Sequence, residues 1–193
     1  RALSSSFGGE IRYDLALKVD ENWHANQGFN HSFLQRYSLH AGVQSDDTLR
    51  FFVQINSSLE SGSRYAVPTS DEDKLNVQNF FLDYNFSSRP GSQLLLRVGR
   101  QELNYGSGRL VSVRDGNNSR QYFTGLKLSY IKPHLRVDAF ILATSRIKPG
   151  LFDNETKIQG NFWGAYSELS FVDTGNFDIY YLGIMREQAR FEA

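Results

Sequence analysis

The chain has 193 residues, with 21 basic side chains balanced by 21 acidic ones, no cysteine, 15 phenylalanines and 10 tyrosines. That balance, with a pI of about 7.1, excludes a chain that coats nucleic acid, and the missing thiols exclude a disulfide scaffold, thiol catalysis and cysteine-based zinc sites. The longest apolar run, Ala139 to Ala143, falls far short of the ~18 residues of a spanning helix.

The length suits one domain over residues 1–193. The opening Arg1-Ala2-Leu3-Ser4 carries no signal-peptide pattern, and the last residues, Arg190-Phe191-Glu192-Ala193, stop without a terminating element. Both ends read as cuts through a longer sequence.

Period-two alternation runs along the chain, and no stretch keeps helical spacing. Residues 10–19 set Ile11, Tyr13, Leu15, Leu17 and Val19 against Glu10, Arg12, Asp14 and Lys18. Residues 33–44 set Phe33, Tyr37, Leu39, Ala41 and Val43 against Arg36, Ser38, His40 and Gln44. From 49 to 56, Leu49, Phe51, Val53 and Ile55 oppose Arg50, Gln54 and Asn56. Further strands are predicted at 76–86, 93–100, 121–131, 135–143, 161–171 and 177–186, which makes nine. One face is apolar throughout; the other is polar but keeps Phe81, Phe140 and Tyr166. Leu15, Leu39, Val53, Leu82, Leu96, Leu128, Val137 and Ala165 are predicted on the apolar side, and Arg36, Arg50, Lys127 and Arg136 on the other. A soluble sandwich shows the same alternation.

Connector lengths alternate as well. Long connectors at 20–32, 60–73, 101–120 and 144–160 interleave with tight ones at 45–47, 87–92, 132–134 and 172–176, where Arg89-Pro90-Gly91 and Asp173-Thr174-Gly175-Asn176 carry turn chemistry. Short turns on one rim and long loops on the other is the plan of an antiparallel up-and-down transmembrane β-barrel of the bacterial outer membrane. Aromatics near strand ends (Phe33, Tyr37, Phe86, Tyr122, Tyr130, Phe171, Phe177) fit interfacial girdles. An odd strand number and two free edges do not suit hydrocarbon, so nine strands read as half of a larger barrel.

Chemistry concentrates between Arg97 and Arg120. Five arginines (Arg97, Arg100, Arg109, Arg114, Arg120) face two carboxylates (Glu102, Asp115), a local charge of +3 in a neutral chain. Arginine's planar fork suits carboxylates, and a positive field in a narrow lumen draws anions. Alternation sends Arg97 inward; a bulge at Gly99 is expected to turn Arg100 inward too. The small and apolar residues of 101–120, with Leu110, Val111 and Val113 among them, are expected to fold over the lumen for cover. Ser38 and His40 make a weak nucleophile pair without a third group. The histidines His24, His31, His40 and His134 lack ligand spacing. Asp71-Glu72-Asp73 and Asp153-Asn154-Glu155 are loop carboxylates that a calcium ion or solvent alone can serve. Gly106-Ser107-Gly108 precedes no helix and is no phosphate loop.

The segment Leu96-Arg97-Val98-Gly99-Arg100-Gln101-Glu102-Leu103-Asn104-Tyr105-Gly106, with Gly108 to Gly116, Gly125 to Leu128 and Pro149-Gly150-Leu151-Phe152-Asp153, resembles the alginate export family of outer-membrane barrels, most strongly over about residues 77–152. The resemblance implies a monomeric barrel of about eighteen strands, an arginine-lined constriction that passes a polyuronate, and a pore-lining role for Arg100 and Gln101, which match the family's Gly-Arg-Gln. The resulting expectation is an outer-membrane channel for passive passage of an anionic carbohydrate or small anionic solute. Its pore would be lined by Arg36, Arg97, Arg100, Gln101, Arg109, Arg114, Asp115, Arg120 and Arg136. Lipid is its surrounding partner, with no enzymatic activity, no cofactor and no nucleic acid expected. The alternatives are a soluble or surface carbohydrate-binding β-sheet module and a barrel enzyme acting on lipid or glycan.

Overall fold

The computed structural model describes residues 3–19, 29–46, 48–64, 67–171 and 175–185. Among them lie nine strands: β1 (Leu3–Val19), β2 (Phe29–Ser45), β3 (Leu49–Ser61), β4 (Asp73–Arg89), β5 (Ser92–Gln101), β6 (Phe123–Lys132), β7 (Leu135–Arg146), β8 (Glu155–Phe171) and β9 (Gly175–Ile184). They form one antiparallel sheet in chain order, with β1 and β9 at its two ends. The all-β, up-and-down reading therefore holds, and the sheet does not close on itself. Most of the connector predicted at 20–32, with His24, lies outside the described residues, as do Asp47, Asp173 and Thr174.

The strands run longer than alternation alone indicates. β1 begins at Leu3, seven positions before the predicted start, because Ser4 to Gly9 pair with Leu39 to Gln44 of β2 although they carry no apolar rhythm. β8 likewise begins at Glu155 rather than 161, which shortens the connector before it to 147–154. A 17-residue strand spans about 56 Å at ~3.3 Å per residue, well beyond an apolar band ~25 Å tall. Residues that overhang a band of that height have water on both faces, so nothing in them selects for alternation.

Register places the predicted residues on common faces, since directly paired residues share a side. Leu39 pairs with Ile55, Val53 with Phe80, Leu82 with Val98, and Leu128 with both Leu96 and Ala139. These form a nearly unbroken apolar surface open to the surroundings: Leu15 is 65%, Leu39 64% and Ile141 56% exposed. An apolar surface this continuous exceeds what a soluble monomer shows. Aromatic pairs reinforce it, with Tyr13 stacked on Phe33 and edge-on to Tyr37, and Phe51 edge-on to Phe80. Tyr122 departs from the expected girdle: it is fully buried under the Arg100 guanidinium, 4.4 Å from the ring centre.

The opposite face holds the buried residues. Phe81, Phe140 and Tyr166 lie there beside Arg36, Lys127, Asp83 and Asp138, all nearly inaccessible. The connector between β5 and β6 covers Arg36, Phe140, Tyr166 and Asp138, whereas Arg97 covers Phe81 and Asp83 from within the sheet.

Replacing Leu128 at the middle of β6 with arginine should lower the stability of the full-length protein folded in phospholipid vesicles by about 2–4 kcal/mol, whereas Leu49→Arg at the end of β3 should cost about 0–1 kcal/mol. Equal costs at the two depths, read by urea titration, would contradict a lipid-facing band.

Candidate functional site

Residues 102–122 leave the end of β5 and fold back over the polar face. Two kinds of contact hold this loop. At one end Leu103 and Val111 pack into an apolar cluster with Phe123, Phe140 and Leu142. Tyr105 stacks on Tyr166 at 4.3 Å and donates its hydroxyl to Asp138 at 2.9 Å. Burial first, and the adjacent Asp138 second, push the Tyr105 hydroxyl well above the usual phenol range, so it stays a donor. Gly99 and Gly125, paired with each other, lie beneath this end with φ of 128° and 153°. A Cβ at either would meet the carbonyl of Phe80 or Ile141 at 2.3 or 2.4 Å, so the wall can be this close only with glycine.

The other end is polar. The Asn118 side-chain amide nitrogen lies 3.2, 3.0 and 2.9 Å from the backbone carbonyls of Gln35, Leu59 and Asp71, while the Asn118 backbone carbonyl accepts the Ser58 hydroxyl at 2.9 Å. Ser119 donates its backbone N–H to Ser70 at 2.7 Å. One loop residue is thereby tied to β2, β3 and the β3–β4 connector.

Between these ends lies a charge cluster. Arg12 of β1 stands directly opposite Arg36 of β2, a like-charge pair that needs compensation. Arg36, whose side chain is only 3% exposed, meets Glu10 at 3.0 Å and Asp115 of the loop at 3.0 Å. Arg12 binds Asp14 at 2.6 Å and donates to the Asp115 backbone carbonyl at 2.7 Å. Arg120 reaches Glu102 at 3.2 Å and Asp115 at 3.4 Å. Burial holds the Glu102 carboxyl above its ordinary range despite Arg120 and the 2.8 Å hydrogen bond from Gln78.

A second cluster crosses β3 to β7. Arg97 makes a two-pronged contact with Asp83, at 2.7 and 2.8 Å, and caps the Phe81 ring at 3.7 Å. It too stands opposite a cation, Lys127. Arg136 binds the fully buried Asp138 at 3.1 Å.

The structure thus gathers Arg36, Arg97, Asp115, Arg120 and Arg136 onto the polar face and partners every arginine among them with a carboxylate. Arg109 and Arg114 are exposed loop residues with no carboxylate partner among the described residues, and Arg114 sits in the left-handed region at φ 54°. Gln101 is fully buried, and its amide atoms find no partner among the described residues.

Arg100 differs from expectation. The β4–β5 register runs unbroken through Gly99, pairing Phe81 with Gly99 and Phe80 with Arg100, so no extra residue is inserted there. The positive φ of Gly99 bends the strand without changing its count. Arg100 instead lies one residue from the end of β5 and donates to the Val77 carbonyl at 2.6 Å and to Asn76 at 3.3 Å. The loop folds inward as expected, but Val111 rather than Leu110 takes the covered position; Leu110 is 66% exposed. His40 stacks on Phe52 at 5.5 Å. Asp71 accepts from the Asn118 backbone and Asp73 from Asn154, and no group of three metal-ligating side chains occurs among the described residues.

Sequence reading passed over Glu10, Arg12, Asp83, Glu102, Asn118 and Asp138 as site residues. Polar-face parity was visible for the strand residues Glu10, Arg12, Asp83 and Asp138, whereas Glu102 and Asn118 lie in the loop. Their convergence depends on register and on where the loop lands.

Comparison with protein families finds a match to Alginate export over residues 4–193. No curated protein matches the chain.

Asn118→Ala removes a donor shared among two strand carbonyls and one of the β3–β4 connector while leaving the charge cluster intact. Trypsin cleavage after Arg114 in the folded full-length protein should accelerate roughly tenfold, the consequence of losing about 1–3 kcal/mol of hydrogen bonding. An unchanged cleavage rate would mean that the loop is anchored elsewhere.

Proposed function

The chain belongs to the alginate export family, and from that membership we propose that it forms wall and constriction of an outer-membrane channel for passive passage of an anionic, alginate-like polysaccharide. The family itself points to an outer-membrane export role rather than to catalysis. The observation that carries the finer reading is the separation of faces: one side of the sheet is apolar and open, and the other is polar and crossed by an arginine-bearing loop.

Pore lining is assigned to Arg36, Arg97, Arg100, Gln101, Arg109, Arg114, Asp115, Arg120 and Arg136. Their contributions to a passing anion differ. Arg36, Arg97, Arg120 and Arg136 carry carboxylate partners, so each presents a dipole more than a charge. Arg109 and Arg114, exposed on the loop, supply the uncompensated positive field. Such a field concentrates anions without binding them tightly, which a conducting path requires. Lipid surrounds the apolar face, and the barrel acts as a monomer.

Arg114→Glu changes the local charge by two units beside the proposed path. Reversal potentials of the full-length protein in planar bilayers should move toward cation preference. Lys132→Glu, exposed in the short β6–β7 turn region, makes the same charge change where solvent ions screen it within about 8–10 Å, and should leave selectivity nearly unchanged. Equal shifts for the two substitutions, or none for Arg114→Glu, would remove the anion-path reading.

A further inference from the structure

Asp115 occupies an unusual position in the charge cluster. Each of the three arginines around it already has a carboxylate of its own: Asp14 for Arg12, Glu10 for Arg36 and Glu102 for Arg120. Asp115 is a fourth carboxylate shared by all three, with contacts of 3.9, 3.0 and 3.4 Å. Its side chain is 60% exposed although Arg36, its nearest partner, is 3% exposed. The Arg12 and Arg36 guanidiniums are therefore built into the wall, and the carboxylate comes to them on the loop that also carries Arg120. Asn117 adds a backbone carbonyl to Arg36 at 3.4 Å.

We propose that Asp115 is an internal stand-in for a substrate carboxylate: it latches the tip of the 102–122 loop to Arg12 and Arg36 of the wall, braced by Arg120 of the same loop, and a uronate carboxylate entering that shared position releases the tip. The inference rests on the channel reading and gives it a subsite. The exchange swaps one carboxylate for another, so the cluster keeps its charge and no arginine loses its own partner. Only the tether at the tip of the loop changes. Tyr105 on Tyr166 holds the loop on one side and Asn118 on the other, so the motion is confined to the segment between them that carries Asp115 and Gly116.

The test uses the full-length protein in lipid vesicles with a spin label on Gly116→Cys, where an added Cβ meets nothing within 4 Å. The label should be immobile at rest. An oligogalacturonate should raise its mobile fraction about tenfold, the size expected from exchanging a charge-assisted hydrogen bond. A neutral oligosaccharide of equal length and sodium chloride of equal ionic strength should not. Asp115→Asn should give a mobile label from the start with no further response, and Asp115→Glu should restore both the immobile state and the response.

An immobile label in Asp115→Asn would overturn the latch. So would a wild-type response matched by sodium chloride, which is screening alone, or no response to the uronate. Bilayer conductance measured in parallel separates the two readings: conductance without uronate-dependent release overturns the latch only, and release without conductance overturns the channel while leaving the latch in place.

Discussion

Like charges face each other across neighbouring strands on the polar side of the sheet, and much of the rest follows from that. Arg12 stands opposite Arg36, and Arg97 opposite Lys127. Side chains in such positions repel, and the cost grows as burial lowers the effective dielectric. The Arg97 pair is resolved within the wall, by Asp83 on β4 and by the field of Asp138 on β7. The Arg12 pair is balanced by Asp14 and Glu10, and the loop residue Asp115 adds a further carboxylate that both arginines share. Two neighbouring guanidiniums on the wall thus mark where a distant loop lands.

The loop in turn determines what the polar face can do. Its aromatic end fills the space over β6 to β8 and its polar end closes over β1 to β3, where Asp115 joins the paired Arg12 and Arg36. Arg109 and Arg114 sit exposed on the loop itself, while Arg100 in the wall is held by neutral acceptors, Val77 and Asn76. Under the proposed latch, selectivity and gating are linked, because moving the loop relocates its exposed arginines and uncovers Arg12 and Arg36 together.

Fold and faces were legible in the sequence because burial on one side imposes a period of two and a one-residue slip would place Arg36 or Lys127 among leucines. Strand length was not, because the ends of β1 and β8 overhang the apolar band and carry no rhythm. Within the site, the segment from Arg97 to Arg120 reads as a block of positive charge. The structure pairs Arg97 and Arg120 with carboxylates, of which Asp83 is distant in sequence, and register alone brings them together. The bulge expected at Gly99 is absent for a related reason: a glycine can reshape a strand through its φ without adding a residue, and composition does not distinguish the two.

The central claim is that wall and loop are held together by charge compensation at Arg36 and Asp115. A double-mutant cycle with Arg36→Met and Asp115→Asn, read as unfolding free energy of the full-length protein in lipid vesicles, measures that coupling directly. A coupling of about 1–3 kcal/mol, falling with added salt, is the result expected. Additive effects of the two substitutions, within about 0.3–0.5 kcal/mol, would contradict it.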